Sequence, residues 1–356
     1  MTEKKRDLNL DLIRSLALVF VLGMHYYDNS GFYLITIDGT GDFLMAMGRM
    51  LCATCVPLFI MLTGRLCSAK KLSAKYYLGM LRIMEIYFIS CLACLVFEAL
   101  YLHNIMSLQD MLSGILNFEL DGYAWYLLLY GGLFLMMPFL NMMYSGCSGR
   151  NQKLLLIVTF FALSLLSSLL NSYVHIYPLW WSNLYPICYY FTGAFLREYS
   201  PKKSPLKYGL LMLAALLLFC GYTWLRFHGS AADFQAVFYD HYQIYILTVL
   251  VFLFLDSLEL SRLGSRLKAA IYKVAELSFA AYLMSWISDG IIYREFVPHF
   301  PVPEDRFLWI FPLVLLSLLS SLIMAQAVHW LYAPLDRLLR PPLQRLLSGH
   351  KADDTP

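Results

Sequence analysis

Arg14 and His25 stand inside the first apolar run of the chain, LNLDLIRSLALVFVLGMHYY, eleven residues apart. An α-helix rises about 1.5 Å per residue with about 3.6 residues per turn, so the two side chains would lie roughly 16 Å apart along the axis and within about 20° of one face. Histidine gains and loses a proton near neutral pH. Arginine grips phosphate and carboxylate through a planar fork of donors. Ionisable groups inside a membrane segment are costly and are functional candidates by default. Asp11 precedes Arg14 by three residues, a helical neighbour able to pair with it. Plainer roles stand beside this one: Arg14 as a cation snorkelling to headgroups, His25 as a hydrogen-bonded interfacial side chain.

These residues need membrane helices to position them. Of 356 residues, 60% are hydrophobic and only 14% charged, against about 45–50% and about 25% in soluble domains. Ten runs come near the roughly 20 residues that cross a bilayer core: 9–29, 47–67, 81–102, 124–144, 153–172, 182–197, 206–225, 242–258, 270–292 and 307–331. The sixth is short and holds Pro186. Asp7, Asp11 and Arg14 interrupt the start of the first run, which is expected to stay as a helix rather than be cleaved as a signal. The expected fold is all-α, a polytopic bundle of about ten transmembrane helices. One membrane domain is expected over 1–340, with a short cytoplasmic tail over 341–356.

Lys and Arg set the expected orientation through the positive-inside bias. With ten spans and a cytoplasmic N-terminus, 22 of the 27 Lys and Arg fall in inside segments. Three, Arg226, Arg294 and Arg306, fall outside, and Arg14 and Arg49 lie in or at the edge of spans. Both termini are then cytoplasmic. The basic inner face suits lipid headgroups and also a polyanionic ligand. No phosphate loop, nucleic-acid motif or internal repeat stands out. Cys52–Cys55 and Cys91–Cys94 have CxxC spacing, but each pair is expected within a helix, with no partnering His or second pair. Buried hydrophobic thiols are the better account, and no metal is expected.

Other polar residues fall within or beside the spans. Arg49 opens the second, which ends in VPLFIMLTGRL, where Pro57 and Gly64 mark a bend or close approach. Arg82 and Glu85 stand one turn apart in the third and suit an ion pair. Trp125 and Tyr126 start the fourth, where an aromatic belt is expected regardless of function.

The string DLIRSLALVFVLGMH resembles the opening of the acyltransferase-3 superfamily, whose first helix carries an Arg, ten intervening residues and a His, usually with an Asp three before the Arg. Asp11, Arg14 and His25 fill those places. Ordered matches continue. VPLFIMLTGRL (56–66) is similar to the family's "vPlFFmiSGyLl", and YYLGMLRIMEIYFI (76–89) to its basic "RRllRilpp" segment, with Arg82 on the last Arg. AWYLLLYGGLFLMMPFLN (124–141), which contains Trp125 and Tyr126, resembles "hlWYlyaliglYlllPll". YYFTGAFLRE (189–198) resembles "yfllGyyl", and LSFAAYLMS (277–285), with Tyr282 and Ser285, resembles "iSfgiYliH". Leu78 and Gly79 replace basic residues of the family pattern, and Ser285 replaces its His.

The resemblance implies transfer of an acyl group, usually acetyl, from cytoplasmic acyl-CoA to a hydroxyl across the membrane. Surface glycans and lipid-linked sugars are the expected acceptors, and a bacterial-type cytoplasmic membrane the expected location. It implies His25 as catalytic base and Arg14 and Arg82 as cations for the donor phosphates, with Arg65, Lys71 and Lys75 as nearby substitutes. Asp11, Glu85, Trp125, Tyr126, Tyr282 and Ser285 are expected in support. The outer loops, FELDGYAW (118–125) and 226–241 above all, are expected to shape acceptor choice. A solute transporter or flippase is a second reading. A degenerate acyltransferase-like binding module is a third, to which Ser285 and the thinned basic motif are relevant. No nucleic-acid partner is expected.

Overall fold

The computed structural model describes residues 6–171 and 175–349. Among them the regular secondary structure is helical with no strand, save an isolated bridge between Thr36 and Ser230. The helices are α1 (Leu8–Asn29), α2 (Thr40–Cys52), α3 (Cys55–Cys67), α4 (Ala74–Tyr77), α5 (Gly79–Leu100), α6 (Leu108–Leu116), α7 (Trp125–Gly146), α8 (Gly149–Phe160), α9 (Ser167–Leu170), α10 (Tyr185–Glu198), α11 (Pro205–Arg226), α12 (Ala231–Ala236), α13 (Tyr242–Ser257), α14 (Ser265–Phe296) and α15 (Ile310–Gly349). The expected spans fall largely on helical backbone, residue 172 of the fifth lying outside the described residues. Seven helical stretches among the described residues are long and apolar enough to cross a membrane, and α13 is a shorter apolar helix. α15 continues to Gly349, so the segment expected as a tail begins as helix. Lys4, Lys5, Lys351 and the rest of the expected tail lie outside the described residues, as does the side chain of Arg345.

Local chemistry explains the breaks. The second expected span divides at Ala53–Thr54, so Cys52 and Cys55 flank a turn rather than share one helix. Pro57 is the cause: it has no N–H to give Ala53, and its ring crowds the carbonyl four residues back. Thr54 Oγ1 fills in by donating to the Leu51 carbonyl at 2.7 Å. The sixth span begins as a 3₁₀ turn over Leu179–Leu184 and becomes α10 only at Tyr185, with Pro186 in its first turn, where a missing donor costs nothing. Asp7 caps α1 by accepting from the backbone N–H of Asn9 and Leu10.

The chain forms two compact units. The first comprises residues 1–68, 144–276 and 292–316; the second comprises 69–143, 277–291 and 317–356. In the first, α1 packs on α2, α3 and α13, and α3 lies against α10. That last contact is backbone on backbone. A Cβ at Gly64 would fall 2.0 Å from the Tyr190 carbonyl oxygen, and one at Gly193 would fall 2.0 Å from that of Met61. In the second, α5 packs on α4 and α6, and Tyr87 on α5 donates to the Ile115 carbonyl of α6 at 2.8 Å. Large apolar side chains on α5, α7, α11 and α15 point outward, among them Leu92, Leu128, Leu217 and Ile323. A surface so apolar is that of a protein solvated by lipid.

Substituting Gly64→Ala or Gly193→Ala forces α3 and α10 apart. The expected cost is about 3 kcal/mol or more, read as loss of monodisperse protein in detergent. Gly131→Ala, whose Cβ meets nothing within 4 Å, should behave as wild type.

Candidate functional site

α1 runs without interruption through both Arg14 and His25, so the spacing expected of one helix holds. At its start the Asp11 carboxylate is buried, 5% exposed. Arg6 grips it with Nε on Oδ2 and Nη2 on Oδ1. Arg6 is itself anchored in α14, donating to the Tyr272 carbonyl at 3.0 Å and stacking over the Tyr272 ring. Arg14 approaches the same carboxylate only at 3.8 Å, and a third of its side chain stays exposed. The expected Asp11–Arg14 pair is present, but Arg6 satisfies most of Asp11. Arg14 keeps most of its fork for another anion.

At the other end His25 is buried, 7% exposed. Its carbonyl accepts from Asn29 Nδ2 at 2.7 Å. Tyr26 donates to the Arg306 carbonyl at 2.7 Å. The Arg306 guanidinium then donates to three carbonyls: Ser30 at 2.7 Å, Phe300 at 2.7 Å and Pro301 at 3.2 Å. These bonds tie the chain just past α1 to the segment between α14 and α15 and fix the end that carries His25. Arg49, fully buried, does similar work, donating to the Val237 and Gln235 carbonyls and to Tyr33 Oη. The sequence places Arg306 in an outer loop and signals no role for it.

Arg65 is also engaged. Its Nη1 donates to the Leu196 carbonyl at 2.6 Å and its Nη2 pairs with Asp256 at 3.4 Å, joining α3, α10 and α13. A donor phosphate would have to compete with Asp256 for it.

The other expected site residues belong to the second unit. Lys71 and Lys75 are exposed before α5. Arg82 is exposed on α5, its guanidinium 5.4 Å from the Tyr332 ring centroid, whereas Glu85 one turn on is buried. Tyr126 meets Tyr282 edge to face at 5.9 Å and continues a row of rings through Tyr130 and Phe134 to Tyr76. Trp125 is 40% exposed beside Tyr126. Ser285 is buried and its hydroxyl donates to its own helix, to the Tyr282 carbonyl at 2.6 Å.

The second unit also holds polar residues that sequence reading did not single out. Asp121 is fully buried in the loop before α7. Its Oδ1 accepts from the Tyr123 backbone N–H at 2.9 Å, and its Oδ2 has no partner among the described residues. Tyr123 Oη donates to Asp289 Oδ2 at 3.2 Å, and Ser317 donates to Asp289 Oδ1 at 2.6 Å. Burial pushes the Asp121 carboxyl up to about 7, against the lowering effect of the Tyr123 N–H. The loop FELDGYAW signalled the place; nothing in its sequence signalled a carboxylate left half satisfied.

Two measurements follow. Arg306→Lys keeps the charge but loses the fork, leaving buried carbonyls unsatisfied; a loss of about 2–4 kcal/mol in unfolding free energy is expected. For Asp121, folded and unfolded forms are both protonated below the ordinary carboxylate range. Between that range and about 7 only the unfolded form ionises, so native stability falls as pH rises, by about 1.4 kcal/mol per pH unit at most. Asp121→Asn should therefore match wild type near pH 4 and melt higher at pH 8. A gap that does not change with pH would contradict the assignment.

The sequence profile of the acyltransferase domain family matches residues 7–326, which takes in α1, the basic segment before α5, the α7 loop and Asp289. Searches of curated proteins and of solved structures find no significant match. With Asp11, Arg14 and His25 on one unbroken helix inside that match, the chain belongs to the acyltransferase-3 superfamily of membrane acyltransferases.

Proposed function

We propose that this protein moves an acyl group, acetyl as the first expectation, from cytoplasmic acyl-CoA to a hydroxyl of a surface or lipid-linked glycan. The observation that carries the reading is the state of α1: a partly exposed arginine with donors to spare at one end and a buried histidine at the other, roughly 16 Å apart. That interval is of the scale of a pantetheine arm. The chain crosses the membrane ten times with both termini inside, in the cytoplasmic membrane of a bacterium. This orientation rests on the distribution of Lys and Arg.

Arg14 holds the donor phosphates through charge-assisted contacts. Arg65 keeps its place with Asp256, and Arg82, Lys71 and Lys75 are exposed cations of the second unit. His25 takes the proton of the acceptor hydroxyl as its oxygen bonds to the thioester carbonyl carbon. The C–S bond breaks, and the CoA thiolate takes the proton from the imidazolium. One residue thus serves as base and then acid.

The test uses sealed vesicles loaded with labelled acetyl-CoA and a surface-glycan extract outside. Wild type should label the glycan. His25→Ala should lose at least about 100-fold in rate, and Arg14→Ala should raise the donor KM about tenfold or more with a smaller change in kcat. Solute movement without acylation, or full activity of His25→Ala, would overturn the reading.

A further inference from the structure

Asp121 presents a buried carboxylate oxygen with no partner among the described residues, in a setting built from three parts of the second unit. Tyr123 links it to Asp289, and Asp289 is held by Ser317. Between Asp121 and Tyr123, Gly122 lies flat against the Trp286 ring: a Cβ there would fall 2.6 Å from an indole carbon. Trp286 meets Tyr123 edge to face at 5.1 Å, and its Nε1–H also lacks a partner among the described residues. Buried polar groups in proteins are almost always satisfied, so the open Asp121 oxygen and Trp286 N–H call for a partner that arrives from outside.

We propose that Asp121, Tyr123, Trp286 and Asp289 form a recognition site for a neutral polyhydroxylated ligand, the sugar of the acceptor. The chemistry selects this class. A cation could answer Asp121 but would leave the Trp286 N–H open. A hydroxyl both donates and accepts, so it can complete an open donor and an open acceptor together. Neutralisation of Asp121 by its burial does not harm such a site, since a carboxyl group also both donates and accepts. The proposal rests on the reading of the chain as an acyltransferase with a hydroxyl acceptor.

The experiment uses full-length protein in nanodiscs and a panel of methyl glycosides of glucose, galactose, rhamnose and N-acetylglucosamine, read by saturation-transfer NMR, with acetyl-CoA binding measured in parallel. At least one glycoside should bind wild type. Asp121→Ala should weaken it about tenfold and leave acetyl-CoA affinity within about twofold. Should Asp121→Ala misfold, Asp121→Asn and Tyr123→Phe keep the shape, and each should still weaken the glycoside selectively. Unchanged glycoside binding in these variants, or no glycoside binding by a wild type that acylates glycan, overturns the site and leaves the acyltransferase reading intact. Glycoside binding lost in Asp121→Asn, together with transfer unaffected by His25→Ala, supports the site and removes the proposed mechanism.

Discussion

The Asp11 carboxylate is buried at the start of α1, and a buried carboxylate must find cations or give up its charge. Arg6 supplies the closer partner and brings with it the backbone and ring of Tyr272. The register of α1 against α14 follows from that grip; Ser15 one turn later reinforces it by donating to the Ile271 carbonyl. Because Arg6 takes the carboxylate, Arg14 is attracted without being consumed. A helix pinned in this way carries His25 to a fixed depth. The Arg306 clamp and the Tyr26 hydrogen bond then hold the far end. The proposed transfer would need its base and its anion grip held rigidly in this way.

The two units handle charge differently. In the first, cations are spent on backbone carbonyls: Arg49, Arg65 and Arg306 each close a junction between helices or loops. In the second, Arg82, Lys71 and Lys75 stay on the surface while Glu85, Asp121 and Asp289 go inside. Asp289 is well supplied with donors, whereas Asp121 is left half satisfied at a cost to the fold. Such local costs persist in proteins where function needs them.

Much of this was legible in the sequence because helical spacing is strict. Arg14 and His25 share a helix because no proline lies between them, and Gly64 marks a bend or close approach. Residues whose partners lie far along the chain were not legible. Arg6 reads as one more basic residue of a charged N-terminus, yet its partner backbone is at Tyr272. Arg65 reads as a spare cation and is engaged by Asp256. Pro57 was legible as a bend, but its effect four residues back moved the break to Ala53–Thr54 and parted Cys52 from Cys55.

The central claim is that His25 accepts the hydroxyl proton while the acyl group passes straight from thioester to acceptor. A single-turnover reaction with labelled acetyl-CoA and excess glycan, quenched in acid on the millisecond scale, tests it directly. The account predicts label in glycan from the earliest time, with none on the protein. Stoichiometric label on His25 that forms before the glycan product, or no CoA-dependent labelling of glycan, would contradict it.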